Sequence, residues 1–305
     1  MPENRNPHVR PASRVSGFNQ SVVDEFRAHS GRVGGPFAGG DLLLLTTVGA
    51  RSGLEQTSPL AYVRDGDRLL VVGSAGGAPR HPAWYHNLLA HPMARVELGS
   101  ETFGAVGVPA EGAERDRLFA LIVERAPGFA DYQAKVDRTL PVVILERAHT
   151  ESGEARTLGA KLVEIHGWLR GQLARVRAEA DTYFADRDNG ASPAALGLRI
   201  RQHCLAFCES LRFHHEGEDA VMLPGLERGH PRLREVIERL RAEHRVVARI
   251  RGELEALLAG VGSADPDRFR TELDRMSREL EAHLDYEEEE LIPVLDAVPF
   301  PPAAG

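Results

Sequence analysis

The hydrophobic pattern of this 305-residue chain changes character near residue 150. Before that point, apolar and β-branched runs of strand length are separated by turn residues: Leu42 to Val48, Gln56 to Val63, Leu69 to Gly73, Ala94 to Leu98, Thr102 to Val108 and Val142 to Leu145. Arg64-Asp65-Gly66-Asp67 is a turn signal between the second and third runs and predicts an antiparallel hairpin. Short helical patterns intervene. Phe18, Val22 and Phe26 recur at helical spacing, and Pro82 to Ala90, Ala113 to Ala126 and Ala130 to Val136 read as further helices. Strands in hairpin order with short helices between them predict a small β-barrel, not a doubly wound parallel sheet.

After the polar, aperiodic stretch Ala148 to Glu154 the chain reads as helix throughout, with three interruptions. These are Asp188-Asn189-Gly190-Ala191-Ser192-Pro193, Arg228-Gly229-His230-Pro231 and Gly262-Ser263-Ala264-Asp265-Pro266, each with glycine before proline, which stops one helix and restarts the next. Three loops make four long helices, and an up-down-up-down bundle is their natural packing. The expected organisation is a two-domain α+β protein. A split β-barrel over residues 15–147 is followed by an all-α four-helix bundle over 156–298.

The bundle writes one motif twice. His214 with Glu218 and His283 with Glu287 both read His-x3-Glu, followed by Pro224 and Pro293. Four residues are about one helical turn, so each imidazole and its carboxylate share a face at metal-ligand spacing. In an antiparallel hairpin, residues equidistant from the turn lie at one height. The pairs His166/His214, His214/His244 and His244/His283 all have their midpoints in the three Gly/Pro loops. One histidine from each helix is thus expected in a single layer with Glu218 and Glu287, a di-metal constellation. His203 lies about 16 Å along its helix from His214, too far for the same metals, and reads as seam packing or a second-layer hydrogen bond. His215 is expected to point off the seam, His230 to sit in a loop, and the run Glu287 to Glu290 to be solvated apart from Glu287.

Charge and composition narrow the picture. Acidic and basic residues balance in the first 150 residues, so the net charge of -8 belongs to the half that carries the motif. No basic run offers an electrostatic footprint for nucleic acid. No window approaches the ~18 apolar residues of a membrane span, and Met1 to Arg14 lacks an apolar signal core. The expectation is a cytoplasmic protein with a loose N-terminus, acting on a small molecule, with no membrane contact and compatible with a homodimer. Cys204 and Cys208, the only cysteines, are four apart within a helical pattern, poor geometry for a disulfide. They read as small buried apolar residues, with a thiol redox switch as the alternative.

Two loops in the first half carry candidate chemistry. Gly49-Ala50-Arg51-Ser52-Gly53 combines an arginine with free backbone N–H groups, and Ser74-Ala75-Gly76-Gly77 permits close backbone approach. Together with Pro59-Leu60-Ala61-Tyr62-Val63, Pro82-Ala83-Trp84-Tyr85-His86-Asn87-Leu88 and Asp137-Arg138-Thr139-Leu140-Pro141-Val142, they make residues 15 to 146 resemble the deazaflavin (coenzyme F-420)-dependent nitroreductase family. The resemblance implies an FMN-binding-like split barrel that takes reduced deazaflavin and passes a hydride to a quinone or nitro compound. It places Arg51, Ser52, Gly53, Pro59, Ser74, Ala75, Gly76, Gly77, Arg80, Trp84 and Asn87 at the cofactor, with FMN as the alternative occupant. No catalytic residue is assigned. Ala75 stands where the family often has lysine, and Ala61, Ala126 and Phe129 stand where nitroreductase members have tyrosines near the substrate.

Residues 158 to 298 resemble the hemerythrin (HHE cation-binding) family, which implies a non-haem di-iron centre held by His166, His214, Glu218, His244, His283 and Glu287. Ala248 occupies the place of a further histidine found in oxygen-carrying members. Two imidazoles per iron would leave about one open position on each. The combined expectation is an oxidoreductase in which reduced deazaflavin supplies electrons to a di-iron centre that reduces or senses dioxygen, peroxide or nitric oxide. The alternatives are a quinone or nitro reductase with the bundle as an independent oxygen or iron sensor, and a gas-storing binding module.

Overall fold

The computed structural model describes residues 14–15, 17–148, 155–188 and 193–300. Most of the N-terminal segment, the stretch 149–154 and the loop residues 189–192 lie outside the described residues. The chain divides into two compact units, Met1–Ala148 and His149–Gly305. Among the described residues no helix is long and apolar enough to cross a membrane.

The first unit contains β1 (Arg14–Val15), α1 (Gly17–Ala28), β2 (Leu42–Val48), β3 (Glu55–Asp65), β4 (Arg68–Val72), α2 (Ala83–Ala90), β5 (Met93–Leu98), β6 (Glu101–Pro109), α3 (Gly112–Arg125), α4 (Gly128–Ala134) and β7 (Val142–Arg147). All six expected strands are present. They run in the order β3-β2-β5-β6-β7-β4, and β4 pairs again with β3, so the sheet closes into a six-stranded barrel. β1 adds to β3 in parallel; two residues are too few to show a period, so the pattern did not reveal it. The β3–β4 hairpin turns at Gly66, whose φ of 61° favours glycine.

The leucine run of β2 is explained by burial on both faces. Leu43 and Leu45 point into one core with Leu69, Val71, Val96 and Val143. Leu42 and Leu44 meet Val23 and Phe26 of α1. On another side, Leu70, Val72 and Ile144 pack against Leu118 and Ile122 of α3. Strands covered on both faces lose the alternation of a half-exposed strand and read as continuous apolar runs.

The second unit is the bundle. α5 (Leu158–Asp188) is followed by α6 (Pro193–Gly217), which runs through one π turn (Glu218–Met222) into α7 (Leu223–Gly229); α8 (Arg234–Ala259) and α9 (Pro266–Leu295) complete it. Neighbouring pairs are α5 with α6, α6 with α8, α8 with α9, and α9 with α5. Asp265 caps α9 by accepting the Arg268 N–H at 2.9 Å, just before Pro266. Apolar residues form two separate clusters. One includes Leu169, Phe184, Phe207, Ile250 and Leu280; the other includes Leu162, Leu223, Ile237, Leu240 and Leu291. The motif histidines and glutamates belong to neither.

Leu88 of α2 closes tightly on the barrel: a Cβ at Gly107 would lie 2.8 Å from a Leu88 methyl carbon. Gly107→Ala is expected to overpack this contact and destabilise the first unit by about 1–3 kcal/mol, seen as a lower thermal midpoint, with Leu88→Ala in the same chain recovering part of the loss.

Candidate functional site

Each helix of the bundle brings polar groups to one level. His166 of α5, His214 and His215 of α6, His244 of α8 and His283 of α9 form a chain of ring contacts, with centroids 4.8 Å apart for His166–His214, 4.2 Å for His215–His244 and 5.2 Å for His244–His283. The donors form two groups. His166, His214, Glu218 and Glu287 offer ligand atoms within 4.8 Å of one another, and so do His215, His244 and His283. Both carboxylates reach both groups. Glu218 lies 3.1 Å from His214 Nε2 through Oε1 and 3.5 Å from His244 Nε2 through Oε2. Glu287 Oε2 lies 3.6 Å from His166 Nε2 and 3.9 Å from His283 Nε2.

His215 corrects the sequence expectation. It is buried and stacks on His244, with its Nε2 3.2 Å from His283 Nε2. α6 borders both α5 and α8, and successive helical residues are about 100° apart, so His214 faces one neighbour and His215 the other. The adjacent pair of histidines was the available signal. The donor division is therefore two imidazoles and three, not two and two. Ala248 is exposed, and the third imidazole comes from the neighbouring helix. Glu218 begins the π turn, a device that recurs at functional sites because it widens one helical turn.

Three imidazoles are held from behind. His166 Nδ1 meets Glu288 Oε1 at 2.8 Å, His244 Nδ1 meets Asp219 Oδ1 at 2.9 Å, and His283 Nδ1 meets Glu243 Oε2 at 3.0 Å. Arg170 fixes Glu288 and Asp285 at 2.6 Å each. Glu288 is thus part of the site, not merely solvated. A carboxylate at Nδ1 puts the proton there and leaves the Nε2 lone pair facing the centre, the arrangement a metal ligand requires.

The layer fits cations. Both carboxylate oxygens of Glu218 and of Glu287, and Nε2 of His244, are buried with no hydrogen-bond partner among the described residues. Nε2 of His166 and of His214 are only 2.8 Å apart. Burial, with Arg170 nearby, pushes His166 down to about 3, and burial holds His214 and His215 well below the usual imidazole range. Burial and the charge of Glu287 raise Glu218, and burial pushes Glu287 up to about 7. Neutral imidazoles beside unpartnered carboxylates form a donor set that a divalent metal satisfies.

Among the described residues His203 finds no hydrogen-bond partner at either buried ring nitrogen, and burial pushes it down to about 3. Cys204 and Cys208 are free and buried, with their sulfurs 3.8 Å apart.

In the first unit, α2 joins the two candidate loops. The Ser74–Gly77 loop precedes it, and Asn87 near its end ties down the other loop: Oδ1 accepts the Ala50 N–H at 3.0 Å while Nδ2 donates to Thr47 Oγ1 at 3.0 Å. Arg51, Ser52 and Gly53 remain exposed. Arg138 donates to the carbonyls of Gly73, Ser74 and Ala78 at 3.1, 3.0 and 3.1 Å, shaping the second loop. Ala75, Gly76 and Gly77 all have positive φ, 48°, 64° and 81°. Lys135 packs on Gly77, so a lysine from α4's end stands beside the loop whose own position 75 is alanine. Arg80 is exposed and Pro59 lies within β3 opposite Leu44. Trp84 and Asn87 are both buried, Trp84 in the barrel core and Asn87 against the first loop.

Residues 19–147 match the family described as F420H(2)-dependent quinone reductase. F420H(2)-dependent quinone reductases of two Mycobacterium tuberculosis strains, CDC 1551 and H37Rv, are each 40% identical over 126 residues, covering 40% of this chain and 85% of theirs. The chain belongs to the F420H(2)-dependent quinone reductase family. Its second half, residues 157–295, matches the Hemerythrin HHE cation binding domain. The solved structure of an F420-H2 dependent reductase, FDR-A, is 39% identical, covering 35% of this chain and 94% of that one, with a TM-score of 0.33.

The quinone reductase unit also holds a cavity of about 570 Å³ that Ala61, Ala126 and Phe129 line together with Phe37, Tyr62 and Arg64. Ala61 thus meets Ala126 and Phe129, from a distant part of the sequence, in one place.

Two outcomes follow for the bundle. Asp219→Asn and Glu288→Gln should each weaken metal binding about ten- to a hundredfold in chelator competition, because each removes the support of one ligating ring. Glu287 at about 7 keeps a proton in the metal-free protein at pH 6, which a cation must displace. Metal affinity should therefore rise as pH climbs towards and through about 7, with proton release measurable by calorimetry in two buffers of different ionisation enthalpy.

Proposed function

We propose that the chain is an F420-dependent oxidoreductase whose bundle holds two iron ions and engages dioxygen, peroxide or nitric oxide. The observation that carries the second part is the convergence of five imidazoles and two unpartnered carboxylates that each reach both donor groups. His166 and His214 would hold one ion, His215, His244 and His283 the other, and Glu218 and Glu287 would bridge them. The two-imidazole position has fewer donors, so a small molecule is expected there. This replaces the expectation of an open place at both.

In the barrel, the Ser74–Gly77 backbone turns through consecutive positive φ values, a shape that gathers N–H groups towards an anion. Lys135, Arg80 and Arg51 supply positive charge for the phosphate and acidic tail of F420. Arg138 and Asn87 hold the two loops in place. Bound deazaflavin supplies a hydride, and a pair of iron ions supplies one-electron chemistry at each ion. The covalent linkage of the two units supports a transfer of reducing equivalents from the first to the second.

The cavity lined by Ala61, Ala126 and Phe129, with apolar walls beside Arg64 and Arg125, favours a second reading, direct reduction of a flat acceptor of the quinone class, with the bundle acting separately. Anaerobic mixing of reduced F420 with the oxidised, iron-loaded protein separates the two. Bleaching of the iron absorption within seconds supports coupling. Iron that stays oxidised for minutes, with quinone reduction indifferent to iron removal, establishes the second reading. Mass spectrometry of the released cofactor distinguishes F420 from FMN. Arg138→Ala should raise the Kd for F420 about tenfold by releasing three loop carbonyls, with iron content unchanged.

A further inference from the structure

Own-chain carboxylates back three of the five imidazoles at Nδ1: Glu288 behind His166, Asp219 behind His244 and Glu243 behind His283. His215 has none. Its Nε2 is turned towards His283 Nε2, and its Nδ1 has no hydrogen-bond partner among the described residues. His215 instead lines a cavity of about 240 Å³ between α6 and α8, together with Arg212, Arg245, Arg251 and Ala248.

The charge balance of that cavity is positive. Arg212 is closed on Glu216 at 2.9 Å, and Asp219 is engaged by His244 at 2.9 Å. Arg245 pairs with no carboxylate among the described residues; its Nη1 donates to the Arg241 carbonyl at 2.9 Å. Arg251 approaches Glu255 only at 3.9 Å. Alanine at 248 leaves the space between these arginines and His215 unfilled.

We propose that this cavity binds a small carboxylate or oxyanion, of the size of formate or nitrate, and that the bound anion backs His215 as Glu288, Asp219 and Glu243 back His166, His244 and His283. The proposal rests on the di-iron reading, in which Nε2 ligates and the proton on Nδ1 is left to donate. An anion accepting that proton makes the imidazole a stronger donor and favours the ferric state, so anion binding lowers the midpoint potential of the centre. The site is an effector site: the chain's own residues supply the cations, and the solution supplies the carboxylate.

The test uses the iron-loaded full-length chain with sodium formate as probe, after its iron content is measured. Wild type should bind one formate saturably by calorimetry, and its midpoint potential should fall as the site fills. R245E/R251E, a change at two surface positions outside the ligand set, should weaken formate binding at least tenfold and abolish the potential shift while keeping two irons. A248F, which fills the cavity without altering charge, should do the same. Two bound irons with no saturable formate binding overturn the inference alone. Equal binding by wild type and both variants overturns it too, since the anion then sits on the metal. Failure to hold two irons overturns the di-iron reading, and this inference with it.

Discussion

A buried carboxylate must be paired, and this constraint shapes the bundle. Glu218 and Glu287 lie between two apolar clusters, and among the described residues neither has a cationic side chain paired with its buried oxygens. Stranding even one ionised carboxylate in such a place costs several kcal/mol. The imidazoles do not relieve it as cations, because burial holds them neutral. A layer of this kind makes sense as part of a folded protein when divalent cations complete it, which ties the stability of the second unit to its chemistry.

The surrounding structure serves that layer. α6 delivers His214 and His215 from one short stretch towards two neighbouring helices, and Glu218 follows at the start of the π turn. An outer ring of carboxylates orients the rings, and Arg170 and Arg239 in turn hold Glu288 and Glu243. Ala248 and His215 are two sides of one arrangement. The third imidazole comes from α6, and the small residue on α8 leaves the arginine-lined space beside it.

The barrel follows a different logic. Its proposed site is built from backbone, in two loops whose shape is imposed by side chains elsewhere. Arg138 grips three carbonyls of one loop and Asn87 fastens the other to α2. The lysine absent at position 75 has a counterpart in Lys135, sixty residues on in sequence and against Gly77 in space. In the proposed site a charge missing from the loop is offset from an adjoining helix, since an anion responds to where a charge sits and not to which residue carries it.

The six strands, the four long helices and the layer of His166, His214, His244 and His283 were legible in the sequence, because strand runs, Gly/Pro stops and equal distances from a turn are local or one-dimensional properties. The pattern also held the His-x3-Glu pairs, since a fixed helical pitch places them on one face. What lies between elements was not legible. Whether His215 turns inward depends on which two helices flank α6, and the exposed appearance of Asp219, Glu243 and Glu288 hides that each ends on a ring from another helix. Closure of the sheet by β3 with β4, the burial of Trp84 and Asn87, and the approach of Lys135 to Gly77 are likewise set by packing. Local patterns determined the elements and half-sites of this protein; tertiary packing decided which polar groups meet, because hydrogen bonds and ligation depend on distances that only the assembled helices and strands define.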